Sequence, residues 1–250
     1  MEKLPVNQYS NLLTKFPLSD QAKWFLEYIQ THQNGHVFVD NIISISSFLI
    51  LTPSLEIFYG GNYSENFMFD SIEHIKTNIL PFNEDKLAFF YPLNDIWKNH
   101  LIADLSPYTY PEFGQLIIRR IHQLNLEKYH RYKEVLKVLS SDYQFQEDFQ
   151  SKEYRIKILF EGKEIGYAMN AGEAMNIVDI DVFVDEHHRR KNVSSHACVL
   201  FIDHYNNIGK AVQWGCFTVN QASCNMAVKL GFEISSEAEV ILANFEEEKS

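Results

Sequence analysis

The sequence predicts an α/β protein in two parts, and three observations carry that reading. From Tyr154 onward, strand-like runs alternate with helix-like runs in the order strand, helix, strand, helix, strand, a mixed α/β signature. The front of the chain alternates the same kinds of element to about residue 115. Between them lies a charged stretch with apolar residues at helical spacing. The expected division is a smaller, divergent α/β domain at 1–115, a helical connector at 116–145 and a C-terminal α/β domain at 146–250.

Each element has a local reason. "SDQAKWFLEYIQ" opens on a Ser19 cap and sets Ala22, Phe25, Leu26 and Ile29 on one helical face. "HVFVDN", "SSFLILT" and "LEIFYGG" read as strands, split by Pro53 and closed by Gly60 and Gly61. "FDSIEHIKTNIL" and "LNDIWKNHLIADL" read as helices flanking the strand "KLAFFYP". In "GQLIIRRIHQLNLEKYHRYKEVLKVLSS", Ile117, Ile121, Leu124, Tyr132, Val135 and Leu139 suggest helix. "YRIKILFEGKEIGYAMNA" reads as two strands meeting at Glu161-Gly162, where glycine permits a tight turn. "NIVDIDVFV" is the next strand, with Val178, Ile180, Val182 and Val184 on one face. "NVSSHACVLFIDHYNN" is a helix, "GKAVQWGCF" a strand, "ASCNMAVKLGF" a short helix stopped at Gly231, and "EVILANF" a closing strand.

Composition narrows the class. The 250 residues are 46% hydrophobic and 22% charged, as in folded globular chains. The net charge of -11 argues against nucleic acid and anionic membranes as partners. "MEKLPVNQYS" has no apolar signal-peptide core, and "NIISISSFLILTP" is too short to span a bilayer. Cys198, Cys216 and Cys224 do not form a disulfide framework. The expectation is a cytoplasmic protein, with secretion without a cleaved signal left open.

The chemistry-bearing stretch is "VFVDEHHRRKNVSSHA", a strand, a basic loop and a helix start. Unpaired N–H groups and partial positive charge at a helix start can hold a phosphate, with Arg189 or Arg190 adding charge-assisted bonds. A solvated turn fits the same spacing. No glycine lies in the loop, so neither a P-loop nor a dinucleotide fingerprint is present. Adjacent His187 and His188, with no H-E-x-x-H or C-x-x-C, argue against a metal. There is no G-x-S-x-G elbow, and Cys198 reads as a small buried residue.

Two stretches read together resemble the GCN5-related N-acetyltransferase (GNAT) family. "VDEHHRRKNVSSHA" is similar to that family's loop and helix, and "WGCFTVNQASCNMAVKLGF" to the strand and helix that follow. The second resembles a subgroup with Trp214, Asn220, Ser223, Ala227, Lys229, Leu230, Gly231 and Phe232 at its marker positions. The resemblance covers roughly residues 150–245. The front segment resembles the subgroup's N-terminal part more faintly, in "VFVDN" and "FYGGN". A degenerate GNAT-like copy without a cofactor loop is therefore an option for it.

The resemblance implies a GNAT-like mixed central sheet with flanking helices that binds acyl-coenzyme A, with acetyl-CoA as cosubstrate and no metal. The family's Arg/Gln-x-x-Gly-x-Gly/Ala loop places its arginine on Arg189, its first glycine on Asn192 and its small residue on Ser194. The implied cofactor contacts are Val182, Phe183, Val184, Arg189, Arg190, Lys191, Asn192, Val193, Ser194, Ser195, Asn220 and Ser223. The sheet is expected to splay beside Val182 and Val184, whose backbone would bond the pantetheine arm. The tyrosine that many members use as general acid falls on Ala227, leaving Cys216, Cys224, Tyr205 and Tyr167 as substitutes. Asp179 and Asp181, opposite the valines, are the candidate bases, with Glu173 as a third. The expected partners are acyl-CoA and an amine acceptor, either a small molecule or a protein lysine or N-terminus. The alternative is a non-catalytic CoA-binding or protein-interaction module on the same fold.

Overall fold

The computed structural model describes residues 1–83, 86–109, 116–149 and 153–245. The chain divides into unit 1, Met1–Ile118 with Ala238–Ser250, and unit 2, Arg119–Glu237. The boundary expected at residue 115 lies outside the described residues.

Unit 1 begins with β1 (Glu2–Lys3), α1 (Tyr9–Lys15) and α2 (Asp20–His32). The Ser19 side chain accepts the Ala22 N–H at 3.2 Å, the expected cap, and Ala22, Phe25, Leu26 and Ile29 are buried. Strands β2 (His36–Val39), β3 (Ser47–Leu51) and β4 (Glu56–Gly61) follow as an antiparallel meander. Helix α3 (Glu65–His74) then crosses over to β5 (Leu87–Pro92), which runs parallel to β4, and α4 (Asp95–Leu105) follows. The last strand, β12 (Phe232–Asn244), pairs with the far edge of β5 through Ile241–Asn244. Tyr59, Phe90, Trp97 and Leu101 lie in the core this makes.

Unit 2 holds β6 (Ile117–Leu124), α5 (Leu126–Val135), β7 (Tyr143–Asp148), β8 (Arg155–Phe160), β9 (Lys163–Ala174) and β10 (Ile177–Val184). Helix α6 (Val193–Asn207), β11 (Ala211–Phe217) and α7 (Gln221–Lys229) follow. The strand order is β6-β11-β10-β9-β8-β7, with only β10 and β11 parallel. Glu161 and Gly162 both have positive φ, 49° and 78°, which a two-residue hairpin turn of type I′ requires. Val178, Ile180 and Val184 are buried with Val193, Ala197 and Phe201 of α6. Gly231, at φ +95°, ends α7 where a Cβ would stand 2.6 Å from the Tyr129 backbone nitrogen. That close approach brings the turn onto α5.

The two units repeat one topology, which no sequence repeat announces. An antiparallel three-strand meander leads through a crossover helix to a parallel strand, and a further helix follows. In unit 1 these are β2-β3-β4, α3, β5 and α4; in unit 2 they are β8-β9-β10, α6, β11 and α7.

The expected helical connector at 116–145 is corrected. It contains strand β6, a ten-residue helix and the start of β7. Arg119, Arg120 and His122 look like helix-surface residues but lie on a strand, with partners at Asp179, Glu237 and the Trp214 carbonyl. Among the described residues no helix is long and apolar enough to cross a membrane, and no group of three or more His, Cys, Asp or Glu side chains could hold a metal ion.

Candidate functional site

The parallel pair β10 and β11 comes apart partway along. Pairing covers Ile177, Val178 and Asp179 against Ala211, Val212 and Gln213, and stops there, although both strands continue. The register between β10 and β9 shifts at the same point, between Asp179 and Ile180. Such a bulge bends a strand and raises its local twist. Asp185 donates its N–H to the Ile165 carbonyl on β9 at 2.8 Å. In an antiparallel pair bonded and non-bonded residues alternate. Val184 and Val182 therefore turn their N–H and C=O groups to the opposite edge, where β11 has diverged.

The basic loop leads from this open edge into α6. Arg190 and Asn192 both have positive φ, 61° and 64°, so the chain takes left-handed turns here without glycine. Asparagine accepts that conformation more readily than arginine does. The bond from the His196 N–H to the Asn192 carbonyl at 3.2 Å starts the helical ladder. The N–H groups of Val193, Ser194 and Ser195 come before it and point out of the helix start. Lys229, at the end of α7, places its Nζ 2.8 Å from Asn192 Oδ1 and 3.4 Å from Ser195 Oγ. Val193 and Ser195 are buried, while Arg190 and Lys191 are exposed. Arg189 turns back so that Nε donates to the Val184 carbonyl at 3.0 Å, tying the loop to the open strand edge.

Asp179 stands at the fork where pairing ends. Its side chain is 13% exposed, and Oδ2 lies 3.9 Å from Nη2 of Arg119, itself 12% exposed. Burial pushes the carboxyl up to about 6, against the pull of Arg119 and of the Gly215 and Ile180 N–H groups. Oδ1 is out of water and has no hydrogen-bond partner among the described residues. A carboxylate with that proton affinity suits base chemistry near neutral pH.

The other expected residues fall in separate places. Asp181 is exposed two residues on and accepts the Tyr167 hydroxyl at 3.0 Å. Phe183 is half-exposed beside Tyr167. Glu173 pairs in register with Val178, on the face that packs α6, and binds Lys210 at 2.5 Å. It does not share a face with Asp179. Asn220 caps α7 by accepting the Ser223 N–H at 3.1 Å and is exposed. Ser223 Oγ accepts the Trp214 indole N–H at 2.9 Å, a structural bond.

The proposed substitutes for the absent tyrosine separate as well. Ala227 is fully buried in the core. Cys216 and Cys224 are buried with their sulfurs 3.2 Å apart, and burial pushes Cys216 up to about 12. The Tyr205 hydroxyl accepts from Asn170 Nδ2 at 3.0 Å within the core. Tyr167 alone among the four lies on the Asp181 side of the sheet, with burial raising its phenol.

Among the described residues, unit 1 has no counterpart to this fork. β4 and β5 stay paired from Glu56 with Phe89 to Tyr59 with Pro92. Ser64 Oγ closes the start of α3 by accepting the Phe67 N–H at 3.3 Å. Asn94, at the position of Asn220, donates to the Gly61 carbonyl at 3.0 Å and bridges to the end of β4.

The sequence model of the GNAT acetyltransferase family matches residues 114–241. A GCN5-related N-acetyltransferase-like protein from Streptococcus suis 89/1591 shares 13% identity over 95% of this chain and 97% of its own, with a TM-score of 0.67. A tandem GNAT protein from the clavulanic acid biosynthesis pathway shares 8% identity over 99% of both chains, with a TM-score of 0.60. A GCN5-related N-acetyltransferase from Kribbella flavida shares 9% identity over 93% of this chain and 98% of its own, with a TM-score of 0.58. No curated protein matches the sequence. At these identities the solved structures show a common fold along the chain, and the family model, which spans more than half of it, shows the lineage. The chain belongs to the GNAT acetyltransferase family.

Proposed function

We propose that unit 2 binds acyl-CoA, acetyl-CoA in the first instance, and transfers the acyl group to a primary amine by direct attack. The observation that carries this reading is the fork between β10 and β11, with an open backbone edge at Val182 and Val184 and a carboxyl of raised proton affinity at its vertex. The residues present fit acyl-CoA. Apart from the Val184 carbonyl, which Arg189 holds, the unpaired edge suits the amides of a pantetheine arm, as an added strand would. The α6 start, Arg189, Arg190, Lys191 and Lys229 suit the phosphates. Asn220 is exposed beyond the end of β11, with its side-chain oxygen used in the α7 cap.

The chemistry divides among these groups. An attacking amine must be neutral, and Asp179, directly or through one water, takes its proton. Asp181 is the second candidate. The backbone N–H groups of Val182 and Val184 polarise the thioester carbonyl, where negative charge develops. The thiolate leaves without a strong acid, since a thiol ionises within reach of neutral pH. Most of the acceleration comes from holding amine and thioester together. The net charge of -11 favours a cationic acceptor, such as a polyamine, an aminoglycoside-like amine or a protein lysine or N-terminus.

The test is amine-dependent release of free thiol from acetyl-CoA, measured across amines of several classes. Release with at least one class supports the transferase. The non-catalytic module draws on Ala227 in place of a proton donor and on positive φ at Arg190 and Asn192. Saturable binding with no release would establish it instead.

A further inference from the structure

We propose that Arg119 is a positioning residue that sets the proton affinity of Asp179, and that Gly215 is glycine so that Arg119 can reach it. The inference rests on the transferase reading of the same fork. Arg119 is on β6, and Asp179 is on β10, with β11 between them in strand order. To meet Asp179, the guanidinium must cross the β11 backbone. It does so at Gly215, which pairs with Ile121 on β6. A Cβ built at Gly215 would stand 2.9 Å from Arg119 Nη2 and 3.3 Å from Nε. Any other residue there would displace the guanidinium. Gly215 has no positive φ to explain it. The space over it, filled by Arg119, is what glycine supplies.

The charges around Asp179 all bear on this role. Arg119 comes from β6, the Gly215 N–H from β11, and the Ile180 N–H and the Asp181 carboxylate from β10 itself. Asp181 opposes ionisation of Asp179, and Arg119 is the cation that favours it. Arg119 also lies over the Phe217 ring, 5.7 Å from its centroid, a cation–π contact with β11. A guanidinium keeps its charge even when buried. Burial favours the protonated form of Asp179, which cannot take the amine's proton, and Arg119 works against that. At about 6 the base form predominates at pH 7.

The experiment is a carbon NMR titration of Asp179 in protein labelled at aspartate Cγ, with and without acetyl-CoA, alongside the pH dependence of thiol release with spermidine and with a lysine peptide. The parent is expected to titrate near pH 6. Arg119→Met should raise that midpoint about tenfold in proton affinity or more, and Arg119→Lys should recover part of the shift. Gly215→Ala keeps every charge and leaves no cavity, and it should move the midpoint the same way to a smaller extent. The rising limb of the activity profile should follow each midpoint. Should Arg119→Met fail to fold, Gly215→Ala still decides. Unmoved midpoints in both variants, with stability alone reduced, would overturn the proposal and leave the transferase reading standing. A parent that binds no acetyl-CoA and releases no thiol would overturn that reading and this role with it.

Discussion

Lys229 Nζ lies 2.8 Å from Asn192 Oδ1, joining the end of α7 to the start of α6 across 37 residues of sequence. A cation at a helix N-terminus opposes the helix dipole, which favours anions there. Its contacts are the two neutral oxygens of Asn192 and Ser195 and the face of Tyr132. Acetyl-CoA affinity is therefore expected to fall about 10- to 100-fold in Lys229→Met, the range for a charge-assisted bond. Acetyl-pantetheine, which lacks the pyrophosphate, should bind parent and variant alike. Calorimetric titration with both ligands checks this.

Asn192→Gly is expected to hold or improve acetyl-CoA affinity. Glycine takes a φ of 64° without strain, and the donors are backbone N–H groups that do not depend on the side chain. Asn192→Asp should weaken binding, because a carboxylate would face the phosphates. The same titration ranks the three proteins, and a weaker glycine variant would show that the Asn192 amide itself is needed.

Asp179→Asn should lower turnover by about two orders of magnitude or more, the usual contribution of a general base, with little change in acetyl-CoA affinity. The rising limb near pH 6 should vanish with it. Asp181→Asn should cost less, and Glu173→Gln, whose carboxylate is bound to Lys210 on the other face, should leave turnover near the parent value. Steady-state kinetics from pH 5 to 9 separates the three. Retention of the limb in Asp179→Asn would move the base to Asp181.

The same carboxyl makes stability depend on pH. Its folded value of about 6 lies above its ordinary 3.8, so between these values the native state binds more protons than the unfolded state. Stability from this group is then fully present below about pH 4 and is lost as pH rises through 6. Urea unfolding of the parent should show that downward slope superimposed on other groups. The difference curve between parent and Asp179→Asn isolates it.

Gly231→Ala should destabilise unit 2 by about 2 kcal/mol or more, since it combines an unfavourable backbone region with a Cβ aimed at the Tyr129 backbone. Thermal unfolding of the variant measures this.

The strands and helices of unit 2 from Tyr154 on were legible because their signals are local. Glu161-Gly162 encodes its own turn, and Val178, Ile180 and Val184 alternate as a half-buried strand must. The β6 segment suggests a helix because Ile117, Ile121 and Leu124 fall at helical intervals. Its identity as a strand depends on Arg119 and His122 being satisfied by Asp179 and the Trp214 carbonyl, on strands 60 and 92 residues later. Tertiary partners override local spacing in such cases. The site was legible in the same uneven way. Alternation puts Asp179 on the face opposite Val178, whereas the register that sets Glu173 opposite Val178 is a property of the sheet. The roles of Arg119 and Gly215 have no local signal at all.

The pairing of Ile241–Asn244 with β5 has a consequence for synthesis. Domains generally fold as units from the N-terminus while the chain is being made. Here the β5 edge at Leu87–Phe90 leaves the ribosome early, and the strand that covers it is translated only after the whole of unit 2. The half of the protein that is begun first is thus finished last. Until then the ribosome-bound chain carries an uncovered strand edge.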